Sequence, residues 1–105
     1  MIDWTRIDTL RDEIGADCLQ EVVDLFLEEI EEVIARLRAG PVDNLGADLH
    51  FLKGGALNLG FSEFAALCNT GEHACAQGQA DHVDLPAILA SYDASRAVFL
   101  KGRAE

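Results

Sequence analysis

The hydrophobic positions of this chain recur with a helical period from end to end, and no stretch alternates with period two over the length of a strand. Ile2 to Ile14 reads as a short leading helix ended by Gly15. Asp17 is placed to cap a long second helix, on which Leu19, Val23, Phe26, Ile30, Val33 and Leu37 step alternately by four and three residues. That is the seam of a bundle helix, widened by Val22, Leu27 and Ile34. Gly40-Pro41 ends it, because proline cannot continue a helix.

A third helix is expected from near Asp43, a good cap, to Leu59, with Leu45, Leu49, Leu52, Ala56 and Leu59 as its seam and Gly60 as its stop. The next one starts at Ser62-Glu63, carries Phe61, Phe64, Cys68, Gly71 and Cys75 on one stripe, and ends by Gly78. The last starts near Asp84, since Pro86 fits only a first turn, and its stripe is Leu85, Ile88, Tyr92, Ser95 and Phe99. Amphipathic helices joined by short connections predict an all-α fold: an up-down-up-down four-helix bundle with a short N-terminal helix, one domain over 1–105.

Composition narrows the function. The formal net charge is −11, and residues 1–32 alone carry eleven acids against Arg6 and Arg11. So acidic a face repels phosphate backbones and anionic membrane surfaces, which argues against nucleic-acid and membrane binding. Cys18, Cys68 and Cys75 are odd in number and have no zinc-type spacing. No apolar run is long enough to span a bilayer and no leading apolar signal region is visible. A reduced, cytoplasmic location is expected, and a chain of 105 residues starting at Met1 is expected to stand alone, as a monomer.

The third helix contains an anomaly. Gly46, Gly54 and Gly55 lie inside it, and each interior glycine costs about 1 kcal/mol relative to alanine. At roughly 100° per residue, His50 falls about 140° from the centre of the apolar seam, facing solvent. Gly46 and Gly54 are its i−4 and i+4 neighbours, Leu57 continues the exposed strip, and Lys53 flanks it at i+3. Gly55 falls on the other side, where it lets a neighbouring helix approach. The ordinary reading of one such histidine is a surface residue. A partner that must reach the imidazole explains the bare flanks, the lysine and the exposed leucine together. An exposed neutral imidazole is a competent nucleophile near neutrality, and a cation one turn away would offset the charge of a phosphoryl group.

These residues resemble a known family. His50-Phe51-Leu52-Lys53-Gly54-Gly55-Ala56-Leu57-Asn58-Leu59-Gly60 is similar to the histidine phosphotransfer (HPt) signature, His-x-Leu-Lys-Gly-small-small with a further glycine four residues on. Asp3-Trp4 with Ile7 and Leu10 is similar to the family's N-terminal helix, and the Phe26 helix and Phe64 to Glu72 to its flanking helices. The resemblance implies that His50 is the phosphoacceptor, that Lys53 stabilises the phosphoryl group, and that Gly54 leaves room for the partner; the wheel adds Gly46 and Leu57 to the expected partner-docking surface. The resemblance also implies a phosphocarrier of a two-component phosphorelay, not an enzyme. His50 would accept from a receiver aspartate or a histidine kinase and pass the group to another receiver. The partner would supply the acidic pocket and the Mg²⁺, so no cofactor is expected here. Two positions depart from the pattern. Gly55 replaces a usual serine or alanine, and Thr70-Gly71 stands where a large apolar residue is common, which is expected to loosen that helix without touching the site.

The alternatives are weaker. A non-phosphorylated interaction module would use the same patch, but it has no need of both His50 and Lys53. His73 and His82, with Cys75 or Asp81, lack the Glu-x-x-His spacing of a di-metal bundle, so no metal site is expected. Glu72 reads as a member of a surface pair rather than an acid–base group. No phosphate loop, nucleotide motif or catalytic triad occurs, and the size excludes an autonomous kinase.

Overall fold

Cap chemistry divides the chain where the hydrophobic period breaks. The computed structural model describes residues 2–104, with side chains from 2 to 102; Met1 and Glu105 lie outside it. Helix α1 spans Trp4–Ile14, with the Asp3 carboxylate accepting from the Thr5 N–H at 3.1 Å. Gly15, at φ +88°, passes the chain directly into α2, Ala16–Ala39. The helix therefore starts one residue before Asp17, which lies in the first turn and there opposes the positive end of the dipole. Asn44, not Asp43, caps α3, Leu45–Leu59, its side chain accepting from the Ala47 N–H. Gly60 closes α3 in the left-handed conformation at φ +74°, tight against the Asp3 carbonyl, where a Cβ would have no room. Helix α4 is Ser62–Ala76, a 3₁₀ turn follows at Ala80–His82, and α5 is Leu85–Ala104 with the Asp84 carboxylate accepting from the Ala87 N–H.

Contacts between side chains set the direction of each helix. Arg36 pairs with Asp48 and Ile30 lies against Gly55, so α2 and α3 run antiparallel. Leu49 covers Gly71 and Lys53 reaches Asn69, which makes α3 and α4 antiparallel. Phe64 packs on Tyr92 with centroids 5.4 Å apart, between α4 and α5. The Tyr92 hydroxyl and Arg96 both bond Glu31, and Arg38 pairs with Asp93, closing the ring from α5 back to α2. The result is the expected up-down-up-down bundle. Helix α1 covers one end, with Trp4 stacked on Phe99 and Arg6 donating to Asn58. Among the described residues no strand forms; Ile2 and Phe61 make one isolated antiparallel bridge.

The core is one cluster that includes Leu49, Leu52, Ala56 and Leu59 of α3 and Phe64 and Cys68 of α4. On α2 the buried stripe is rotated from the expected seam. Leu27 and Ile34 are buried, whereas Leu19 and Phe26 are only partly covered. The cause is that α2 has α1, α3 and α5 as neighbours, so its apolar face is wider than a single seam. Among the described residues no helix is long and apolar enough to cross a membrane.

Candidate functional site

The rotation of α3 is fixed by Leu49 and Leu52, which have no exposed surface, and His50 between them must point outward. Its side chain is 70% exposed. The glycines of α3 and α4 decide what it meets. A Cβ on Gly71 would lie 2.7 Å from Leu49 Cδ1, and one on Gly46 would lie 3.2 Å from Cys75 Cβ. Both glycines let α3 and α4 approach closely, which brings the next residue of α4, Glu72, up beside the imidazole.

His50 Nδ1 lies 2.7 Å from Glu72 Oε1 and 3.3 Å from Oε2. Lys53 Nζ donates to the same carboxylate, at 2.8 Å to Oε2 and 3.2 Å to Oε1, and to Asn69 Oδ1 at 3.4 Å. Lys53 first and then His50 hold the Glu72 carboxyl below its ordinary value, so it is an anion at neutral pH. An ionised carboxylate only accepts hydrogen bonds. In the neutral imidazole the proton therefore sits on Nδ1, and Nε2 keeps its lone pair on the far side of the ring. Cys68 offers no competing thiolate, since burial and then the Glu72 charge push its thiol up to about 12.

Around Nε2 the surface is bare on one side and apolar on the other. A Cβ on Gly54 would meet nothing within 4 Å, and Leu57 and Phe51 are 56% and 45% exposed. A groove of about 300 Å³ runs between α2 and α3, with Phe26, Glu29, Phe51 and Gly54 among its walls and His50 at its edge. Gly55 lies on its floor, where a Cβ would come within 2.9 Å of Ile30, so its missing side chain seats α2.

The structure brings together four of the five expected site residues: His50, Lys53, Gly54 and Leu57. Gly46 is different. It is half-buried and its Cβ direction points at Cys75, so it serves the α3–α4 contact rather than the open strip. The expectation that Gly71 loosens α4 is reversed, because its missing side chain admits Leu49 and tightens the pair. Glu72 does make the expected surface pair, but its partners are His50 and Lys53, so it belongs to the site. Glu72, Asn69 and Phe51 were missed as site residues. A signal for the first two existed in the tight turn at Gly60-Phe61. Counting outward equally from that turn along two antiparallel helices sets position 50 near position 72 and position 53 near position 69. His73 and His82 are exposed and make no hydrogen bond to this network, and among the described residues no group of three His, Cys, Asp or Glu is placed to hold a metal ion.

The fold and site define a class of protein: an antiparallel helical bundle with one exposed imidazole bonded to the carboxylate of a neighbouring helix. The family model described as Hpt domain matches residues 21–98, which takes in most of α2 and α5 and the whole of α3 and α4, and the chain belongs to that family. The family supports a phosphotransfer role in phosphorelays, as carriers rather than catalysts, and implies interaction with receiver domains and kinases. No curated protein and no solved structure matches the chain.

Proposed function

We propose that this protein is a cytoplasmic, monomeric phosphocarrier that accepts a phosphoryl group on His50 Nε2 from a receiver aspartyl phosphate or a histidine kinase and returns it to a receiver aspartate. The observation that carries the proposal is the Glu72 bond to Nδ1, which leaves Nε2 as the nucleophilic nitrogen. In the forward step the Nε2 lone pair forms the N–P bond. When the donor is a receiver aspartyl phosphate, its P–O bond breaks and the electron pair leaves with the donor oxygen as the aspartate carboxylate. Nδ1 keeps its proton, so the phosphorylated ring carries a positive charge, which the Glu72 carboxylate offsets. Transfer onward runs the same step in reverse.

Lys53 has two parts in this reading. It keeps Glu72 ionised, and its flexible stem lets the ammonium turn from the carboxylate toward the incoming phosphoryl oxygens. Gly54 leaves the approach to Nε2 open, and Leu57 and Phe51 give a docked partner apolar contact. Mg²⁺ and the acidic pocket that activates the phosphoryl group belong to the receiver. The three unpaired cysteines fit a reducing compartment.

The test is incubation with a phosphorylated receiver domain, followed by analysis of the chain for acid-labile, base-stable label. The wild type should be labelled, and His50→Gln should fold with the same helicity and take no label. Docking of the receiver with no transfer would replace the carrier reading with that of an interaction module.

A further inference from the structure

The groove between α2 and α3 has an uneven lining. Phe26, Ile30, Phe51 and Gly54 give it apolar or bare walls, and Glu29 is its one acidic side chain. Glu29 is exposed and, among the described residues, has neither an ion pair nor a hydrogen bond. Among the described residues no cation pairs with it; Arg6, which reaches the groove at Asn58, donates to that side chain instead. Arg36, two turns along α2, is held by Asp48 at 2.5 Å, and Lys53, on the opposite flank of α3, is held by Glu72. One unpaired carboxylate on a surface is ordinary. Here it lines the same groove as His50. A lone negative charge there repels an incoming phosphoryl group and its acidic pocket, unless the donor brings a cation of its own.

We propose that Glu29 is a specificity determinant of this site: it selects receivers whose docking face carries a Lys or Arg opposite it, beside an apolar side chain that fills the groove over Gly54 and Phe51. The proposal rests on the phosphocarrier reading above and adds to it the chemistry of the partner. The apolar walls supply contact area that many helices could use, and the buried-on-docking pair at Glu29 supplies the choice among them. A receiver with an acid at that position meets Glu29 directly and is rejected.

The experiment compares two phosphodonors on the full chain. One is a receiver domain that exchanges phosphoryl groups with the wild type; the other is phosphoramidate, a small anion that needs no docking surface. Glu29→Lys should lower the rate of transfer from the receiver by about tenfold and flatten its dependence on salt. Labelling by phosphoramidate should hold or rise, because a repelling charge has gone. Glu29→Gln should fall between. Each Lys and Arg of the receiver is then changed to Glu in turn. One of these should slow transfer with the wild type and restore it with Glu29→Lys, a compensation that damage to the fold cannot produce. Receiver transfer unaffected by Glu29→Lys, equal loss with both donors, or no compensating position on the receiver would each overturn the proposal. A wild type that phosphoramidate does not label and for which no exchanging receiver is found would overturn the phosphocarrier reading and this proposal with it.

Discussion

Glu72 governs the chemistry of His50 although it lies one helix away. By accepting from Nδ1 it leaves Nε2 as the nitrogen with the lone pair, and on the proposed phosphocarrier reading its charge would offset the cation formed on phosphorylation. Glu72→Gln keeps an acceptor and loses the charge, so His50 phosphorylation should slow by about tenfold, and Glu72→Ala should slow it further. Rates with a small donor, measured alongside thermal melting, separate this from unfolding. The sign of the pH dependence follows from the depressed carboxyl of Glu72. Its contribution to stability is present above the ordinary carboxylate range and is lost as pH falls through the lowered value. Wild type should therefore lose its stability advantage over Glu72→Gln as the pH falls through the carboxylate range, which acid titration of the two melting temperatures checks. Lys53→Ala should shorten the phosphohistidine lifetime or slow transfer, with the melting temperature little changed. Unaltered lifetime and rate would remove Lys53 from the site.

At the scale of the helix, glycines with the same sequence cost have opposite structural meanings. Gly54 faces open space, so Gly54→Ala should stabilise the protein by up to about 1 kcal/mol through helix propensity alone. Gly71 is buried under Leu49, so Gly71→Ala should destabilise by about 1–3 kcal/mol through overpacking. It should also slow His50 phosphorylation, since pushing α4 outward lengthens the Glu72 contact. Denaturant unfolding of the two variants checks the signs, and equal shifts would refute the distinction. The difference explains what the sequence could reveal. Periodicity located the helices, and the wheel placed His50, Gly54 and Leu57 on an outer strip with Lys53 on its flank, because these depend on α3 alone. Gly46, Gly71 and Glu72 depend on how α3 meets α4, and a wheel drawn for one helix carries no information about its neighbour. The cap at Asn44 rather than Asp43 is a smaller case, since either side chain can accept from the first-turn amides.

Across the whole molecule, the work is divided between a rigid frame and one exposed side chain. Tyr92, Glu31 and Arg96 close the ring of helices between α5 and α2, and Phe61, Phe64 and Phe99 fill the core. The exposed His50 ring stands on the outside of that frame, held at Nδ1 by Glu72. The central claim is that the other nitrogen, His50 Nε2, carries the phosphoryl group. The most direct test is nitrogen-15 NMR of the imidazole after phosphorylation of the full chain by a receiver. The account predicts a phosphoryl group bonded to Nε2 of His50, with Nδ1 protonated and its hydrogen bond lost in Glu72→Ala. A phosphoryl group on Nδ1, or on His73 or His82, would contradict it.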